Sequence, residues 1–389
     1  MPNESNKKQI LFIASNIPTP KRKSNKVVIT IAHQLSQWFD ISVMHPAEFA
    51  PFPISLMKKY KDIAGKNSWS DGTIQIRPLK YIRLFGRKHS FLLLPYVKKR
   101  LNHYLNQNGI PDLVHAHYAL PDGYLAYMIN QIHHTPYIIS FRDSDIKFLT
   151  DPRKSYNANM MDKVLSNAKK IIVHNGAHQE LLSKAGYDSI IMAHGVEKDF
   201  LRPKETVNTS NNIVISTVSE LIPRKHIDWI INAVEEYKGS KNITLKIAGR
   251  GALRIDLESL SRGHENIQFL GQIDHGKVDE LLQQSDIFAL PSVNETFGLV
   301  YLEATAHQNA VIATKGTGVW GHFIDGDEMF YCDSYSSFKE MLFRLIDDNG
   351  LRNQMALNAF IKTKDNYSWN TIISKYVSLY EAFLTEHNS

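Results

Sequence analysis

Short apolar runs alternate along nearly the whole chain with longer stretches in which apolar positions recur every three or four residues. The first kind predicts buried strands and the second amphipathic helices, so the pattern predicts repeated β-α units and parallel sheets, an α/β protein. A first series of strands is expected over residues 9–14, 40–44, 113–115, 137–140 and 170–173. A second is expected over residues 212–216, 244–248, 267–270, 286–290 and 310–313. Between them, residues 202–212 are polar and free of periodicity and read as a linker. Residues 367–384 form an amphipathic helical pattern that opens on a Ser or Asn cap. These features predict a first domain over residues 1–200 and a second over 201–368, with residues 369–389 as a terminal helix. There are no internal repeats and no low-complexity tracts.

A length of 389 residues is too great for one ordinary core and fits two domains. The single cysteine, Cys332, excludes an intramolecular disulfide framework and fits a reducing compartment. Residues 1–8 lack the apolar stretch of a signal peptide, and no segment approaches eighteen uninterrupted apolar residues, so a cytoplasmic protein that does not span a membrane is expected. The net charge of +6 conceals an asymmetry. Residues 1–190 carry 26 Lys and Arg against 13 Asp and Glu, whereas residues 191–389 carry 19 against 26. The basicity concentrates in residues 58–100, where twelve cations face two acids among the apolar clusters Leu84-Phe85 and 91–96. Two readings stand for this stretch: a surface that touches anionic lipid, and a solvated face with core residues between its charges. Nucleic acid is not an expected partner, because no nucleic-acid motif accompanies the charge.

The run from Glu295 to Glu303 follows the apolar strand that ends in Pro291-Ser292. A strand, a loop with one carboxylate and a helix with another would put both acids at the carboxyl end of a parallel sheet, where ligands of such sheets bind. Eight helical residues would place the two on one face about 12 Å apart, a spacing that suits the two ends of a long polar ligand. Arg224 and Lys225 lie after the first strand of the second series and before the helical pattern from Ile227, whose N-terminus favours anions. Gly249 and Gly251 follow the next strand, as a tight turn requires. His115 and His117 end a strand of the first series and point the same way, but no further Cys or His cluster completes a metal site.

The setting of the two acids, D-I-F-A-L-P-S-x-x-E-x-F-G-x-x-x-L-E-A over residues 286–304, resembles the E-x7-E element of retaining glycosyltransferases of family 4. That family has the GT-B architecture, two Rossmann-like domains facing across a nucleotide-sugar cleft, with a C-terminal helix crossing back to the first domain. The resemblance covers nearly the whole chain and is strongest over residues 213–330. It implies that Arg224 and Lys225 hold the leaving phosphates in place of a metal, and that Glu303 accepts hydrogen bonds from the ribose of the nucleotide. Glu295 would face the transferred sugar, with the backbone of Thr296, Phe297, Gly298 and Leu299 near the phosphates and Gly249 and Gly251 near the nucleotide. His117, in a segment similar to the family's D-x-x-H-x-H, would sit near the reacting sugar. Arg142 and Asp145 resemble residues of the acceptor side, as does Asn25 in the loop where relatives carry glycines. Asp143-x-Asp145 also matches the D-x-D metal clamp of the other large glycosyltransferase fold, a reading that conflicts with the doubly Rossmann-like layout.

The chain departs from the family at several places. Ser219-Glu220 stand where the family often has Gly-Arg, and His226 stands where a Gly follows the lysine. Gln308 and Ala310 replace a usual Gly and Pro. The activity implied is retaining, metal-independent transfer of a sugar from a nucleotide diphosphate sugar to an acceptor hydroxyl, with no cofactor. The acceptor implied is a glycan on an isoprenoid lipid at the inner face of a membrane, as in surface polysaccharide synthesis. Two alternatives share the architecture: a nucleotide-sugar 2-epimerase and a catalytically silent binding subunit.

Overall fold

The computed structural model describes residues 7–19, 26–49, 68–82, 94–150, 156–205 and 208–385. The chain divides into two compact units, Met1–Val173 with His178–Ile190 and Ile373–Ser389, and His174–Ala177 with Ile191–Ile372. The sequence suggested a division after residue 200, but residues 191–200 pack with the second unit. Val196 bridges to Ser368 there, and Phe200 packs beside Ala306.

The first unit is built on β1 (Gln9–Ile13), β2 (Asp40–Phe49), β3 (Trp69–Asp71), β4 (Ile74–Ile82), β5 (Leu113–Ala116), β6 (Tyr137–Ser140), β7 (Lys170–Val173) and β8 (Ser189–Ile191). Their order is β3-β4-β2-β1-β5-β6-β7-β8. The strands from β4 to β7 pair in parallel, and β3 returns antiparallel on β4. Every residue of β5 and β6 is buried, which is why these strands read as short, mostly apolar runs without alternation. β4 escaped the sequence reading because basic residues and Pro78 interrupt it. Each half nevertheless alternates, Ile74 and Ile76 and then Leu79 and Tyr81 lying in the core, with the phase changing across Arg77-Pro78. In the described part of residues 58–100 Val97 also faces the core, whereas Tyr96 is exposed. The clusters 84–85 and 91–93 lie outside the described residues.

The second unit carries β9 (Asn212–Val218), β10 (Asn242–Ala248), β11 (Ile267–Gly271), β12 (Ile287–Ala289), β13 (Ala310–Thr314) and β14 (Phe330–Cys332). All pair in parallel in the order β11-β10-β9-β12-β13-β14. The chain winds outward from β9 in one direction and from β12 in the other, so the switch point of this doubly wound sheet lies between those two strands.

Ser368 caps the last helix, Trp369–Thr385, by accepting the Thr371 amide at 3.2 Å. Ile372, Tyr376, Tyr380 and Leu384, each one turn on from the last, are all buried. From Ile373 onward this helix belongs to the first unit. There the Tyr380 hydroxyl meets His115 Nδ1 at 2.6 Å, while Ser140 Oγ lies 2.9 Å from Nε2 of the same ring.

His115 is thereby held as a neutral ring. Burial pushes its imidazole down to about 3, and the nearby Arg142 charge adds to the shift. An unfolded histidine takes up its proton near pH 6.5, so below that value the unfolded chain binds a proton that the native one refuses, and stability falls by about 1.4 kcal/mol per pH unit. The advantage of the wild type over His115→Gln is therefore expected to shrink by about 2–3 kcal/mol between pH 6.5 and 4.5. Urea midpoints of the two proteins across that range check it, and a constant difference refutes it.

Candidate active site

At the switch point of the second sheet the loops after β9 and β12 lie side by side, joined by the Val293 amide donating to the Arg224 carbonyl at 2.9 Å. Pro223–Lys225 forms a single 3-10 turn and His226 turns the chain into the helix Ile227–Glu236 with a left-handed φ of 48°. That is the conformation a glycine adopts freely, at a position where the family has one. The histidine accepts it at a cost of about 1–2 kcal/mol, with its ring stacked on Trp229 at 4.5 Å. Gln308 keeps a φ of 55° at the other glycine position, so both departures preserve the backbone path.

Arg224 and Lys225 converge on one oxygen. Glu295 Oε1 accepts from Arg224 Nη1 at 2.9 Å, from Lys225 Nζ, and from Ser292 Oγ at 2.8 Å. Lys225 is only 8% exposed, so its ammonium depends on that carboxylate for compensation. The backbone of Glu295 is held equally firmly. Its amide donates to Thr317 Oγ1 at 2.7 Å, and its carbonyl accepts from Thr317 Oγ1 at 2.9 Å and from the Gly318 amide at 2.8 Å.

The helix that follows is Leu299–Ala306, entered through Gly298 with a φ of 78°. Glu295 therefore stands in the loop and not on the helix. The expected 12 Å separation along a shared helical face does not apply, because the turn at Gly298 intervenes. A Cβ on Gly298 would lie 2.6 Å from the Tyr301 ring, whose hydroxyl donates to the Leu290 carbonyl at 2.7 Å. Among the described residues the amides of Phe297, Gly298 and Leu299 meet no acceptor, the orphan donors expected at a helix start. Glu303 lies on the second turn with a half-buried carboxylate 3.4 Å from His275 Nε2, and that hydrogen bond raises the His275 pKa.

Gly249 and Gly251 serve close packing. A Cβ on Gly249, whose φ is 144°, would lie 1.7 Å from the Ser219 carbonyl oxygen, and one on Gly251 would lie 2.2 Å from that of Leu221. Both glycines thus let the loop after β9 cross the end of β10, whereas the sequence suggested a tight turn, and only Gly249 has a positive φ.

In the first unit, His117 ends β5 with its ring stacked 4.2 Å from His115 and its carbonyl accepting from Arg142 Nε at 3.0 Å. Arg142 is itself buried, with its guanidinium over the Tyr118 ring. Asp145 is fully buried. Its Oδ2 caps the helix Asp143–Leu149 by accepting the Arg142 amide and also accepts the Ala119 amide, each at 3.1 Å. This is a structural use of that oxygen. Asp143 turns instead to His178 at 2.8 Å. Burial raises the Asp145 carboxyl to about 6. Asn25 lies outside the described residues.

Sequence reasoning missed Ser292, Thr317 and His275. Thr317 had a signal, the Gly-Thr-Gly turn at 316–318, but nothing in the sequence pairs it with Glu295. It also missed Asp122, fully buried, which accepts the Ser15 amide at 3.0 Å and whose pKa burial raises well above that of an ordinary carboxyl.

Glu295→Gln is expected to destabilise the second unit by about 3 kcal/mol, since it leaves the buried Lys225 charge without its partner. Adding Lys225→Met, which removes that charge, is expected to restore most of the loss. Denaturant unfolding of the two variants checks this, and a double variant no more stable than the single one refutes it.

Two family descriptions match the chain: "Glycosyltransferase Family 4" over residues 24–200 and "Glycosyl transferases group 1" over residues 197–361. A putative teichuronic acid biosynthesis glycosyltransferase of Bacillus subtilis is 25% identical over 334 residues, 80% of this chain and 82% of that protein. Sucrose-phosphate synthase from Thermosynechococcus elongatus superimposes with a TM-score of 0.72 at 16% identity, over 97% of this chain and 100% of that one. The Anabaena HepE protein in complex with UDP does so with a TM-score of 0.70 at 16% identity, over 96% and 100%. The two sheets, each doubly wound, are those of the GT-B fold, and with family matches that run from residue 24 to residue 361 the chain belongs to the group 1, family 4 glycosyltransferases.

Proposed function

We propose that this glycosyltransferase moves a sugar from a nucleotide diphosphate sugar to an acceptor hydroxyl with retention at the anomeric carbon and without a metal. The observation that carries the reading is the convergence of Arg224 and Lys225 on Glu295, beside the unpaired amides at the start of the helix Leu299–Ala306. Two cations against one carboxylate leave net positive charge where a diphosphate would develop negative charge as it departs. A solved protein of the same fold binds UDP, which supports a nucleotide donor.

In the proposed reaction the acceptor oxygen attacks C1 on the face from which the phosphate leaves. The C1–O bond to the phosphate breaks as the new C1–O bond forms, and the acceptor proton passes to a leaving phosphate oxygen, so no dedicated protein base is needed. Arg224, Lys225 and the amides of Phe297, Gly298 and Leu299 would stabilise the diphosphate. Glu303 would accept from the ribose hydroxyls, with His275 donating to it, and Glu295 would hold both cations in position. His117 is proposed to hydrogen-bond the donor sugar or the acceptor.

The acceptor we favour is a lipid-linked glycan of surface polysaccharide synthesis at the cytoplasmic face of a membrane, supported by the teichuronic acid assignment of the Bacillus relative. No helix among the described residues is long and apolar enough to cross a membrane, so contact would be peripheral, through the basic stretch 58–100. The preserved backbone at His226 and Gln308 argues against a silent subunit.

Thermal shift with UDP, GDP, ADP and CMP, with and without EDTA, tests the donor site. At ligand about 100-fold above Kd, about 2.7 kcal/mol of stabilisation is expected. One diphosphate should stabilise the wild type regardless of EDTA, and Glu303→Ala and Lys225→Met should each lose most of the shift. No shift with any diphosphate would favour the silent subunit. Release of the diphosphate with an altered sugar, and no acceptor consumed, would favour the epimerase.

A further inference from the structure

Residues His174–Ala177 belong to the second unit, although the chain on both sides of them belongs to the first. They follow β7 and run into the first residues of the helix Gly176–Lys184, and they touch the two loops that frame Glu295. Asn175 Nδ2 donates to the Thr296 carbonyl at 2.9 Å, the Gly176 amide donates to the Trp320 carbonyl at 2.7 Å, and His322 Nε2 lies 2.8 Å from the His174 carbonyl. Asn175 is fully buried, so its amide group depends on such partners. The fit is close: a Cβ on Gly176 would lie 3.3 Å from Gly321 Cα.

A trans peptide is planar, with its carbonyl and its N–H pointing in opposite directions. A donor that holds the Thr296 carbonyl therefore also sets the direction of the Phe297 N–H, which points away from Asn175. The preceding peptide is held in the same way, since Thr317 and Gly318 fix the Glu295 carbonyl. The Phe297 ring is buried against His194 at 5.0 Å and His322 at 5.1 Å, so the loop cannot rotate about that residue without losing its packing. Phe297 is also the first of the three amides without an acceptor.

We propose that Asn175 is a positioning residue that aims the Phe297 amide at the diphosphate of the donor. The inference rests on the donor-site reading above and adds to it a residue from outside the motif segments that bear the site. Asn175 touches no phosphate itself. It acts by keeping a donor preorganised, so that binding need not restrict the loop.

Asn175→Ala and the similarly sized Asn175→Leu test it in the full chain, with dissociation constants measured for the nucleoside diphosphate that binds the wild type and for the corresponding unphosphorylated nucleoside. Both variants are expected to bind the diphosphate about fivefold to tenfold more weakly, as for loss of one well-aimed hydrogen bond, and the nucleoside within twofold of wild type. Equal weakening of both ligands would mean a merely structural role and would overturn the proposal, as would an unchanged diphosphate affinity. Wild type that binds no diphosphate would overturn the donor-site reading and this inference with it. Diphosphate binding that responds to Lys225→Met but not to either Asn175 variant would overturn the inference alone.

Discussion

The Glu295 carboxylate is the group on which the second unit's site depends. It sits where the loops after two adjacent parallel strands meet, and a guanidinium, an ammonium and a hydroxyl all converge on one of its oxygens. A buried lysine cannot stay charged unless an anion stays with it, so the position of Lys225 and that of the loop bearing Glu295 are one problem with one solution. The backbone bonds from Thr317 and Gly318 then bind a third loop, after β13, to the same point. On the proposed reading, a diphosphate arriving there would meet cations whose desolvation has already been compensated by the protein.

Around this centre the chain tolerates changes that look severe in a motif. His226 and Gln308 stand at positions that turn through positive φ, and each supplies some local compensation. His226 stacks on Trp229, and the Gln308 side chain accepts the Lys204 amide at 3.2 Å. The strain is confined to single residues at helix ends, where about 1–2 kcal/mol can be absorbed without moving neighbours. The loss of a cation at Glu220 differs in kind, because no other positive side chain joins Arg224 and Lys225 on Glu295 among the described residues. On the reading proposed above, the site would work with two cations, and the orphan amides at the helix start would carry correspondingly more of the anion's charge.

Most of the fold was legible because buried parallel strands are short, mostly apolar runs without alternation, as β5, β6 and β12 show. β4 was not, since it is a half-buried strand carrying Arg77, Pro78 and Lys80, and composition there spoke louder than period. Glu295, Arg224 and Lys225 could be named because they lie in contiguous segments with characteristic neighbours. Their mutual geometry could not, since the turn at Gly298 places Glu295 off the helix, and a spacing counted in residues says nothing about a left-handed turn. Asn175 and Thr317 lie about 120 and 20 residues from the loop they hold. Local sequence has no means of signalling a hydrogen bond to a backbone carbonyl so far along the chain.

The two units solve the problem of polar groups at strand ends in opposite ways. In the second, charges are kept and paired on the Glu295 carboxylate, half-buried and available to an anion. In the first, burial drives the groups toward their neutral forms: the His115 imidazole is lowered, and the Asp122 and Asp145 carboxyls are raised, their mutual repulsion adding to the shift at Asp122. Asp145, raised only to about 6, keeps its charge near neutral pH beside Arg142, whose Nε is spent on the His117 carbonyl. Buried groups close to neutrality discriminate hydroxyl groups by geometry and offer little field to a phosphate. On the reading proposed above, that contrast in charge would suit the second unit to a diphosphate and the first to the hydroxyls of a sugar.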